Sequence, residues 1–326
     1  MIALQSHGSY TNLSVKELEE RASQAYELYR KCRVCPHHCE INRTQGEVGI
    51  CQLTDELKVT AFVQHFGEEP IFTQTRGVGN IFVTSCNMRC VYCQNYQASQ
   101  IRLGSDYSYE EVAEQMLKLQ QTGVHFIGWV TPSHVVPGLL KSLSLARKKG
   151  LYLPIIYNTS SFDDLDTLKI LDGIVDIYLP DLKYSDADIA KTYSRIKNYV
   201  EISRAAVAEM YRQVGPLRTE ESESIQRGLL IRHLVLPNSL AGTWETLCFI
   251  ALELSPKIPI SLMGQYHPVH DASHFSELNR FITIEEYESA VQMAKDLGFE
   301  NIFTQELDVS KHNMPNFEHQ EAPFIF

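Results

Sequence analysis

The sequence lacks several features that would place it in a specialised class of protein. It carries 29 Lys and Arg residues against 40 Asp and Glu, so it has no basic excess from which general nucleic-acid binding could draw its affinity. The first ten residues contain neither a charged segment nor a long apolar run, so we expect no signal peptide and no membrane anchor. No internal repeat or low-complexity tract stands out. These absences predict a cytoplasmic globular protein with no nucleic-acid or membrane partner.

The chain does contain enough apolar residues for a full core and an unusual set of cysteines. Its 326 residues are 44% hydrophobic, which suits one large domain or two ordinary ones. A chain of this length does not depend on disulfides, and a reducing compartment favours metal binding by clustered cysteines. Seven of the eight cysteines fall between residues 32 and 93. The eighth, Cys248, follows Leu247 in an apolar stretch and is predicted to be a buried thiol.

The first 75 residues are predicted to form a small N-terminal module. Ser14 and Glu17 have the spacing of a capping box, which predicts a helix that continues to about Cys32. Residues 32–51 are irregular and carry four cysteines, and the alternation in 57–66 predicts a strand.

Residues 76–305 alternate apolar runs with helical periodicity. Parallel strands that are buried on both faces and followed by helices have this pattern, so we predict an α/β fold with a helix-covered parallel sheet, open or curled into a barrel. Residues 215–228 are predicted to be a mobile surface connection and 306–326 a C-terminal tail. The predicted strands are 79–84, 124–130, 153–157, 174–180, 229–236, 258–263 and 300–304, and the predicted helices include 108–122, 185–214 and 283–297.

Polar residues follow most of the predicted strands. In parallel α/β barrels the loops at the carboxyl ends of the strands carry the reactive groups, so these positions are candidates for ligand contacts. They are 86–93, 131–134, 158–160, 181–183, 237–238 and 265–267.

Cys86, Cys90 and Cys93 form a C-x3-C-x2-C loop after the first barrel strand. Closely spaced thiolates suit an iron-sulfur cluster or zinc. Three ligands rather than four would leave one coordination site of a cubane cluster open, whereas structural metal sites are closed. The loop therefore predicts a metal centre that takes part in chemistry.

This loop resembles the signature of the radical S-adenosylmethionine (SAM) enzymes, and 90–95 resembles the activating enzymes of pyruvate formate-lyase. The likeness extends over nearly the whole chain and points to an uncharacterised branch of pyruvate formate-lyase activating enzyme homologues. It implies a radical SAM partial TIM barrel of the (β/α)6 type with a small N-terminal cysteine-rich metal-binding module. The further segments that carry the likeness are 35–39, 65–70, 130–134, 157–159, 176–184, 232–237 and 265–266.

The resemblance implies a [4Fe-4S] cluster held by Cys86, Cys90 and Cys93, with SAM chelating the fourth iron. An electron donor such as flavodoxin or ferredoxin would drive reductive cleavage of SAM to a 5′-deoxyadenosyl radical. That radical would abstract hydrogen from a substrate, for which we predict a glycyl residue of a protein. The cofactors carry this chemistry, so no catalytic acid or base is assigned. The alternatives are modification of a peptide or small molecule and a non-catalytic iron-sulfur or zinc protein.

The resemblance also implies a set of SAM contacts. Tyr92 resembles the aromatic residue beside the adenine, and Asp181 and Lys183 suit ribose hydroxyls and a carboxylate. Residues 131–134 stand where many relatives carry a Gly-Gly-Glu motif, and here hydroxyls replace the carboxylate. Arg232 could equally be an internal ion-pair partner and His267 an ordinary structural histidine. The predicted contacts are Tyr92, Thr131, Ser133, Asn158, Ser160, Asp181, Lys183, Arg232 and His267.

Two further groups precede the barrel. Cys32, Cys35, Cys39 and Cys51 could close a tetrahedral zinc site or hold an auxiliary iron-sulfur cluster, and the Cys32/Cys35 doublet favours zinc. In 65–70, His65, Glu68 and Glu69 could face the barrel mouth and contact substrate, or could be solvated turn residues.

Overall fold

The computed structural model describes residues 7–217, 227–307 and 314–324. Its strands form two sheets, with the orders β3-β1-β2-β4-β5-β6-β7 and β10-β9-β8. The strands are β1 (Leu57–His65), β2 (Val78–Val83), β3 (Ser105–Tyr107), β4 (Ile127–Val130), β5 (Ile155–Thr159), β6 (Ile177–Pro180), β7 (Gly228–Leu229), β8 (Ile231–Leu234), β9 (Ile260–Met263) and β10 (Ile302–Phe303).

The two sheets are continuous through β6. The Leu230 N–H donates to the carbonyl of Tyr178 at 3.1 Å, and Asp181 bridges to Arg232 in parallel. All neighbours from β2 to β10 are parallel, whereas β1 is antiparallel to both β2 and β3. The predicted α/β class with a largely parallel, barrel-like sheet is confirmed.

Helices follow the parallel strands and cover their outer side. Three of them begin with capping boxes, at Ser14, Ser108 and Thr283, as the sequence predicts. The helices are α1 (Val15–Glu27), α2 (Pro70–Thr73), α3 (Tyr96–Ser99), α4 (Tyr109–Gln121), α5 (Val136–Lys148), α6 (Leu165–Ile170), α7 (Ala187–Ser194), α8 (Tyr199–Val214), α9 (Thr243–Phe249) and α10 (Ile284–Asp296).

The prediction of one helix over 185–214 is wrong. Helix α7 ends because Arg195 adopts a left-handed conformation with φ 61°, and α8 begins four residues later. Helix α1 also ends before the predicted position near Cys32. Of the predicted mobile connection 215–228, residues 218–226 lie outside the described residues, while Pro216 at its start bridges to Leu229.

The core lies between the sheet and its helices. Every residue of β2, β4, β6 and β9 is buried, which agrees with strands covered on both faces. Strand β1 pairs with β2 across the predicted boundary at residue 75, and the boundaries at 75 and 305 stay predictions. In the described ranges, no helix has the length and apolar character needed to span a bilayer.

Candidate functional site

The carboxyl ends of the parallel strands meet at two adjoining cavities. The first, here called the cysteine cavity, has a volume of about 190 Å³ and is lined by Cys86, Cys90 and Cys93. The second, the glutamate cavity, has a volume of about 270 Å³ and is lined by Glu68 and Glu69. This is the end of the sheet at which parallel barrels carry their reactive groups. The residues that line both cavities are Gln94, Asn95, Val130, Asn158, Arg232, Met263 and Gln265.

The three-cysteine loop leaves β2 through a sharp turn and is tied down on several sides. Ser85 makes the turn with φ 70°, and its hydroxyl donates to the carbonyl of Cys51 at 2.5 Å. The side-chain amide of Asn87 donates to the carbonyl of Phe162 at 2.6 Å. The loop is therefore held in place by residues from two other parts of the chain.

Each sulfur of this loop has a polar neighbour. The Ser194 hydroxyl donates to Cys90 Sγ at 3.0 Å, the Met88 N–H donates to Cys86 Sγ at 3.3 Å, and Ser99 Oγ lies 3.2 Å from Cys93 Sγ. Burial raises the pKa of all three thiols. A metal that displaces the thiol protons would therefore find sulfurs whose negative charge is already met by donors.

The three thiols of the loop suit an iron-sulfur cluster. In residues 7–217, 227–307 and 314–324, neither cysteine region groups three His, Cys, Asp or Glu side chains closely enough to hold one metal ion. A cubane cluster binds its cysteines through different irons, so its ligands stand farther apart than those of a single ion. Three buried or half-buried thiols on one loop, facing one cavity, fit that arrangement.

Seven of the nine predicted SAM contacts line the cysteine cavity. They come from the ends of β2, β4, β5, β6 and β8, which the fold brings together. Thr131 adopts φ 57°, a strained conformation for a β-branched residue that is found preferentially at functional sites. The seven are Tyr92, Thr131, Asn158, Ser160, Asp181, Lys183 and Arg232.

Asp181 and Lys183 form a buried ion pair in this cavity. Lys183 Nζ lies 2.6 Å from Asp181 Oδ2, and the side chains are 13% and 19% exposed. Burial alone would lower the pKa of Lys183, but the Asp181 carboxylate reverses the effect and raises it. Lys183 therefore stays a cation beside the cysteine loop.

Ser133 and His267 are not among the residues that line either cavity. Ser133 is buried, with its Oγ 3.1 Å from Oγ1 of Thr159. His267 Nδ1 lies 2.9 Å from the carbonyl of Gln265, and its ring stacks edge-on against Phe281. The structure thus separates these two side chains from the other seven, and their role as SAM contacts stays a prediction.

Arg232 lies between two glutamates in the wall of the glutamate cavity. Its Nε donates to Glu69 Oε1 at 2.9 Å, and its Nη2 donates to Glu68 Oε2 at 2.5 Å and to Glu69 Oε2. All three side chains are at most 9% exposed. The glutamates are therefore buried at the cavity rather than solvated in a turn, and Arg232 is an internal ion-pair partner.

Glu68 is held by a second polar contact. Asn80 of β2 donates its side-chain amide to Glu68 Oε1 at 2.7 Å. A side chain at Gly128 of β4 would place its Cβ 2.0 Å from the Asn80 Oδ1 atom, so only glycine leaves room for this amide. Burial favours the neutral form of Glu68, but Arg232 outweighs it and the pKa of Glu68 falls to about 2.

A series of hydrogen-bonded hydroxyl groups, which the sequence did not predict, connects Tyr92 to Cys90. Tyr92 donates to the Tyr184 hydroxyl at 2.6 Å, Tyr184 lies 2.7 Å from the hydroxyl of Ser194, and Ser194 donates to Cys90 Sγ. Tyr184 directly follows Lys183 in the sequence, but nothing in the local pattern marks Ser194, which comes from the end of α7.

The four N-terminal cysteines lie near one another. Cys32, Cys35 and Cys51 are buried and Cys39 is half-buried. Burial raises the pKa of Cys35, and the other three thiolates raise it further. A Cβ at Gly49 would lie 2.7 Å from Cys39 Sγ, so this position also has no room for a side chain. These cysteines are neighbours, but in the described part of the chain no three of them are grouped closely enough to hold one metal ion, so the second metal site stays a prediction.

A buried arginine accompanies the N-terminal cysteines. Arg43 is 1% exposed and its guanidinium lies over the ring of Tyr29 at 4.1 Å. It donates to the carbonyl of Thr54 at 2.9 Å and to that of His134 at 2.7 Å. Burial raises the pKa of Cys32, and Arg43 opposes that rise. The guanidinium is thus a fixed positive charge beside the cysteine group.

The two cysteine regions are in direct contact. Besides the Ser85–Cys51 hydrogen bond, His37 Nε2 lies 2.7 Å from the carbonyl of Asn87, and Arg89 donates to the carbonyl of Ile50 at 3.1 Å. The N-terminal cysteine loop therefore flanks the three-cysteine loop. Cys248, predicted to be buried, is partly exposed.

The C-terminal residues 314–324 return to the site. Phe317 is fully buried, and Phe324 lines the glutamate cavity with its ring 5.4 Å from that of Phe82. The side chain of Gln97 in α3 holds the segment by accepting from the Phe317 N–H at 2.7 Å and donating to Asn316 Oδ1 at 3.3 Å. No local sequence signal indicates that this segment forms part of the site.

Comparison with known proteins gives one family match and two sequence relatives. Residues 80–215 match the model of the Radical SAM superfamily. An uncharacterized protein of Methanocaldococcus jannaschii is 29% identical over 297 residues, which is 88% of this chain and 80% of that protein. Another uncharacterized protein of the same organism is 25% identical over 158 residues, 43% of this chain and 46% of that protein.

Solved structures give distant matches. A maturase of the [FeFe]-hydrogenase is 12% identical, with a TM-score of 0.49 over 95% of this chain and 67% of its own. A radical SAM methyltransferase from Sphaerobacter thermophilus is 12% identical, with a TM-score of 0.44 over 71% and 68%. A domain of pyruvate-formate lyase-activating enzyme from Bacteroides vulgatus is 16% identical, with a TM-score of 0.37 over 54% and 91%.

Proposed function

From the match of residues 80–215 to the model of the Radical SAM superfamily, we propose that the chain is an enzyme that cleaves SAM reductively and removes a hydrogen atom from a bound substrate. Cys86, Cys90 and Cys93 would hold a [4Fe-4S] cluster. Bound there in its reduced form, the cluster would supply the one electron that reductive cleavage of SAM to methionine and a 5′-deoxyadenosyl radical requires. A flavodoxin or ferredoxin is the proposed electron donor.

One observation carries the proposal. The three-cysteine loop and the ends of β4, β5, β6 and β8 face one cavity, and polar side chains line it. In non-catalytic metal proteins the metal ligands close around the ion and no cavity is needed beside it. A cavity of this kind beside three thiols favours an enzyme over a structural or electron-transfer protein.

The chain's own residues would bind and orient the cofactor. Lys183, kept cationic by Asp181, suits the carboxylate of the methionine group, and Asp181 can accept from ribose hydroxyls. Asn158 and Thr131 offer further polar groups on the same wall. The buried aromatic Tyr92 would limit access of water to the cluster loop.

Two substrate classes are compatible with this chemistry. A glycyl residue of a protein, in the manner of an activating enzyme, would have to reach the cavity on a loop of the partner. A small molecule would fit within the glutamate cavity itself. The C-terminal segment favours the second class, because Phe324 lines that cavity and Phe317 is buried beside it.

The decisive experiment measures SAM cleavage. Protein reconstituted anaerobically with iron and sulfide, then reduced with dithionite, should convert SAM to methionine and 5′-deoxyadenosine. The Cys86→Ala/Cys90→Ala/Cys93→Ala variant should lose this activity, whereas Cys248→Ala should retain it, since Cys248 lies outside both cysteine regions. Failure of the wild-type protein to cleave SAM, with a cluster spectrum that SAM does not perturb, would rule out the proposed function.

A further inference from the structure

We infer that the glutamate cavity is the substrate subsite and that it binds a small molecule carrying a protonated amine beside an apolar group. The inference rests on the proposed function and narrows its substrate class. It is carried by the position of the cavity, by the charges in its wall and by the aromatic side chains that also line it.

The position of the cavity suits a substrate. It adjoins the cysteine cavity through a shared wall that includes Asn158, Met263 and Gln265. A molecule in the glutamate cavity would therefore lie next to one in the cysteine cavity, in contact with side chains that line both. Hydrogen abstraction requires the reacting atoms of cofactor and substrate to be close together.

The charges in the cavity wall do not balance. Among the residues that line it in the described part of the chain are two carboxyl side chains, Glu68 and Glu69, and one guanidinium, Arg232, so the wall has one carboxyl group in excess. His65 adds no positive charge at neutral pH, because burial lowers its pKa. A buried charge without a counter-ion is costly, and an organic cation in the cavity would supply one.

The glutamates retain capacity to accept from such a cation. Arg232 and Asn80 supply one donor to Glu68 each, and Glu69 accepts only from Arg232 in the described structure. Each carboxylate oxygen can accept two hydrogen bonds. An ammonium group can therefore bind without breaking the ion pair with Arg232.

Phenylalanine side chains form part of the remaining wall, beside amide and hydroxyl side chains. Phe82 of β2 and Phe324 of the C-terminal segment line the cavity, with ring centroids 5.4 Å apart, and Phe324 also lies 4.3 Å from the ring of His65. Aromatic faces attract cations and bury the carbon atoms next to them. A cavity wall that combines carboxylates with aromatic rings is therefore complementary to an alkylammonium group.

A set of three isosteric probes tests the charge preference. Binding of n-butylammonium, n-butanol and butyrate to the reconstituted protein is measured by isothermal titration calorimetry under anaerobic conditions. We expect n-butylammonium to bind about tenfold more tightly than butyrate, with n-butanol between them. Equal binding of the three probes, or tighter binding of butyrate, would overturn the inference.

Two variants locate the binding. Glu69→Gln should abolish the preference for the ammonium probe, while Glu253→Gln, which removes an exposed carboxylate from the surface, should leave it unchanged. Phe324→Ala should weaken the binding of all three probes. The control is Leu252→Ala, which changes an exposed side chain and should leave probe binding unchanged. If Glu253→Gln reduces the preference as much as Glu69→Gln, the cation binds to the general surface charge and the inference is wrong.

The two proposals fail in different ways. If the protein cleaves SAM but does not prefer the ammonium probe, only the inference about the substrate is wrong. If the protein binds the ammonium probe through Glu69 but does not cleave SAM, the cation subsite is supported and the proposed enzymatic function is wrong. If Glu69→Gln does not fold, the probe series on wild-type protein and the Phe324→Ala variant still decide the question.

Discussion

The two cysteine regions lie against each other but have opposite surroundings. The loop with Cys86, Cys90 and Cys93 faces a cavity lined by polar residues from several strands. The N-terminal group borders neither cavity and has the buried guanidinium of Arg43 beside it. Thiols beside a cavity are typical of a catalytic metal site. Thiols packed beside a fixed positive charge are typical of a structural one. The difference teaches that cysteine count alone does not identify the role of a site.

Metal content gives the sharpest test of this comparison. The Cys86→Ala/Cys90→Ala/Cys93→Ala variant should lose about four irons per chain and keep about one zinc, because the N-terminal group supplies four thiolates of its own. Replacing Cys32, Cys35, Cys39 and Cys51 by Ala should have the reverse effect. Elemental analysis of the purified variants measures both. About four irons left in the first variant would instead identify an auxiliary cluster.

Removal of the countercharge should destabilise the N-terminal region. Arg43→Met leaves the buried carbonyl of His134 and the part-buried carbonyl of Thr54 without this donor, so we expect the free energy of unfolding to fall by about 3 kcal/mol. Arg30→Met, which removes an exposed ion pair with Glu27, should cost less than about 1 kcal/mol. Chemical denaturation of both variants measures the difference, and equal losses would contradict a structural role for Arg43.

His134 links the two regions and should make their stability depend on pH. Its Nε2 lies 3.0 Å from the carbonyl of Thr84, which precedes the three-cysteine loop, and its own carbonyl accepts from Arg43. Burial lowers its pKa to about 4. The unfolded chain therefore binds a proton below about pH 6.5 that the folded protein does not bind until about pH 4.

The contribution of His134 to the free energy of unfolding is fully present above pH 6.5 and is lost as the pH falls toward 4. Between pH 7.5 and pH 5, the free energy of unfolding should fall by about 2 kcal/mol more in the wild-type protein than in His134→Gln. Denaturation curves at the two pH values provide the measurement. Parallel losses in both proteins would show that another group governs the acid transition.

The smallest effect is expected at the cluster loop. Ser194→Ala removes the hydrogen bond to Cys90 Sγ, so the reduced form of the cluster is less well stabilised and its reduction potential should become more negative. Ser142→Ala, a buried serine of α5 that donates to the carbonyl of Gly138, is the matched control. A redox titration followed by electron paramagnetic resonance compares them. An unchanged potential in Ser194→Ala would show that this hydroxyl does not tune the cluster.

Local signals predicted the fold well. The capping boxes at Ser14, Ser108 and Thr283 each begin a helix, and buried apolar runs gave the parallel strands to within a few residues. The break between α7 and α8 was missed because Arg195 ends α7 without a glycine or proline. Apolar patterns of period 2 or 3.6 indicate which face of an element is buried. They do not indicate where a residue such as arginine adopts the left-handed backbone conformation and ends a helix.

The site was predictable only where it follows a strand directly. Seven of the nine proposed SAM contacts line the cysteine cavity because strand ends converge in any parallel barrel. His267 also follows a strand, yet its ring packs on Phe281, since the turn after β9 decides its direction. Phe324 joins the glutamate cavity through contacts with residues more than 200 positions away, which no local pattern encodes.

The contact between Gly128 and Asn80 has a consequence for sequence variation. A Cβ at position 128 would overlap the amide that holds Glu68, so the two positions on neighbouring strands are constrained together. Homologues that keep the Glu68 anchor should pair asparagine at 80 with glycine at 128. Homologues with a side chain at 128 should have lost the amide at 80, and with it the fixed carboxylate in the wall of the cavity.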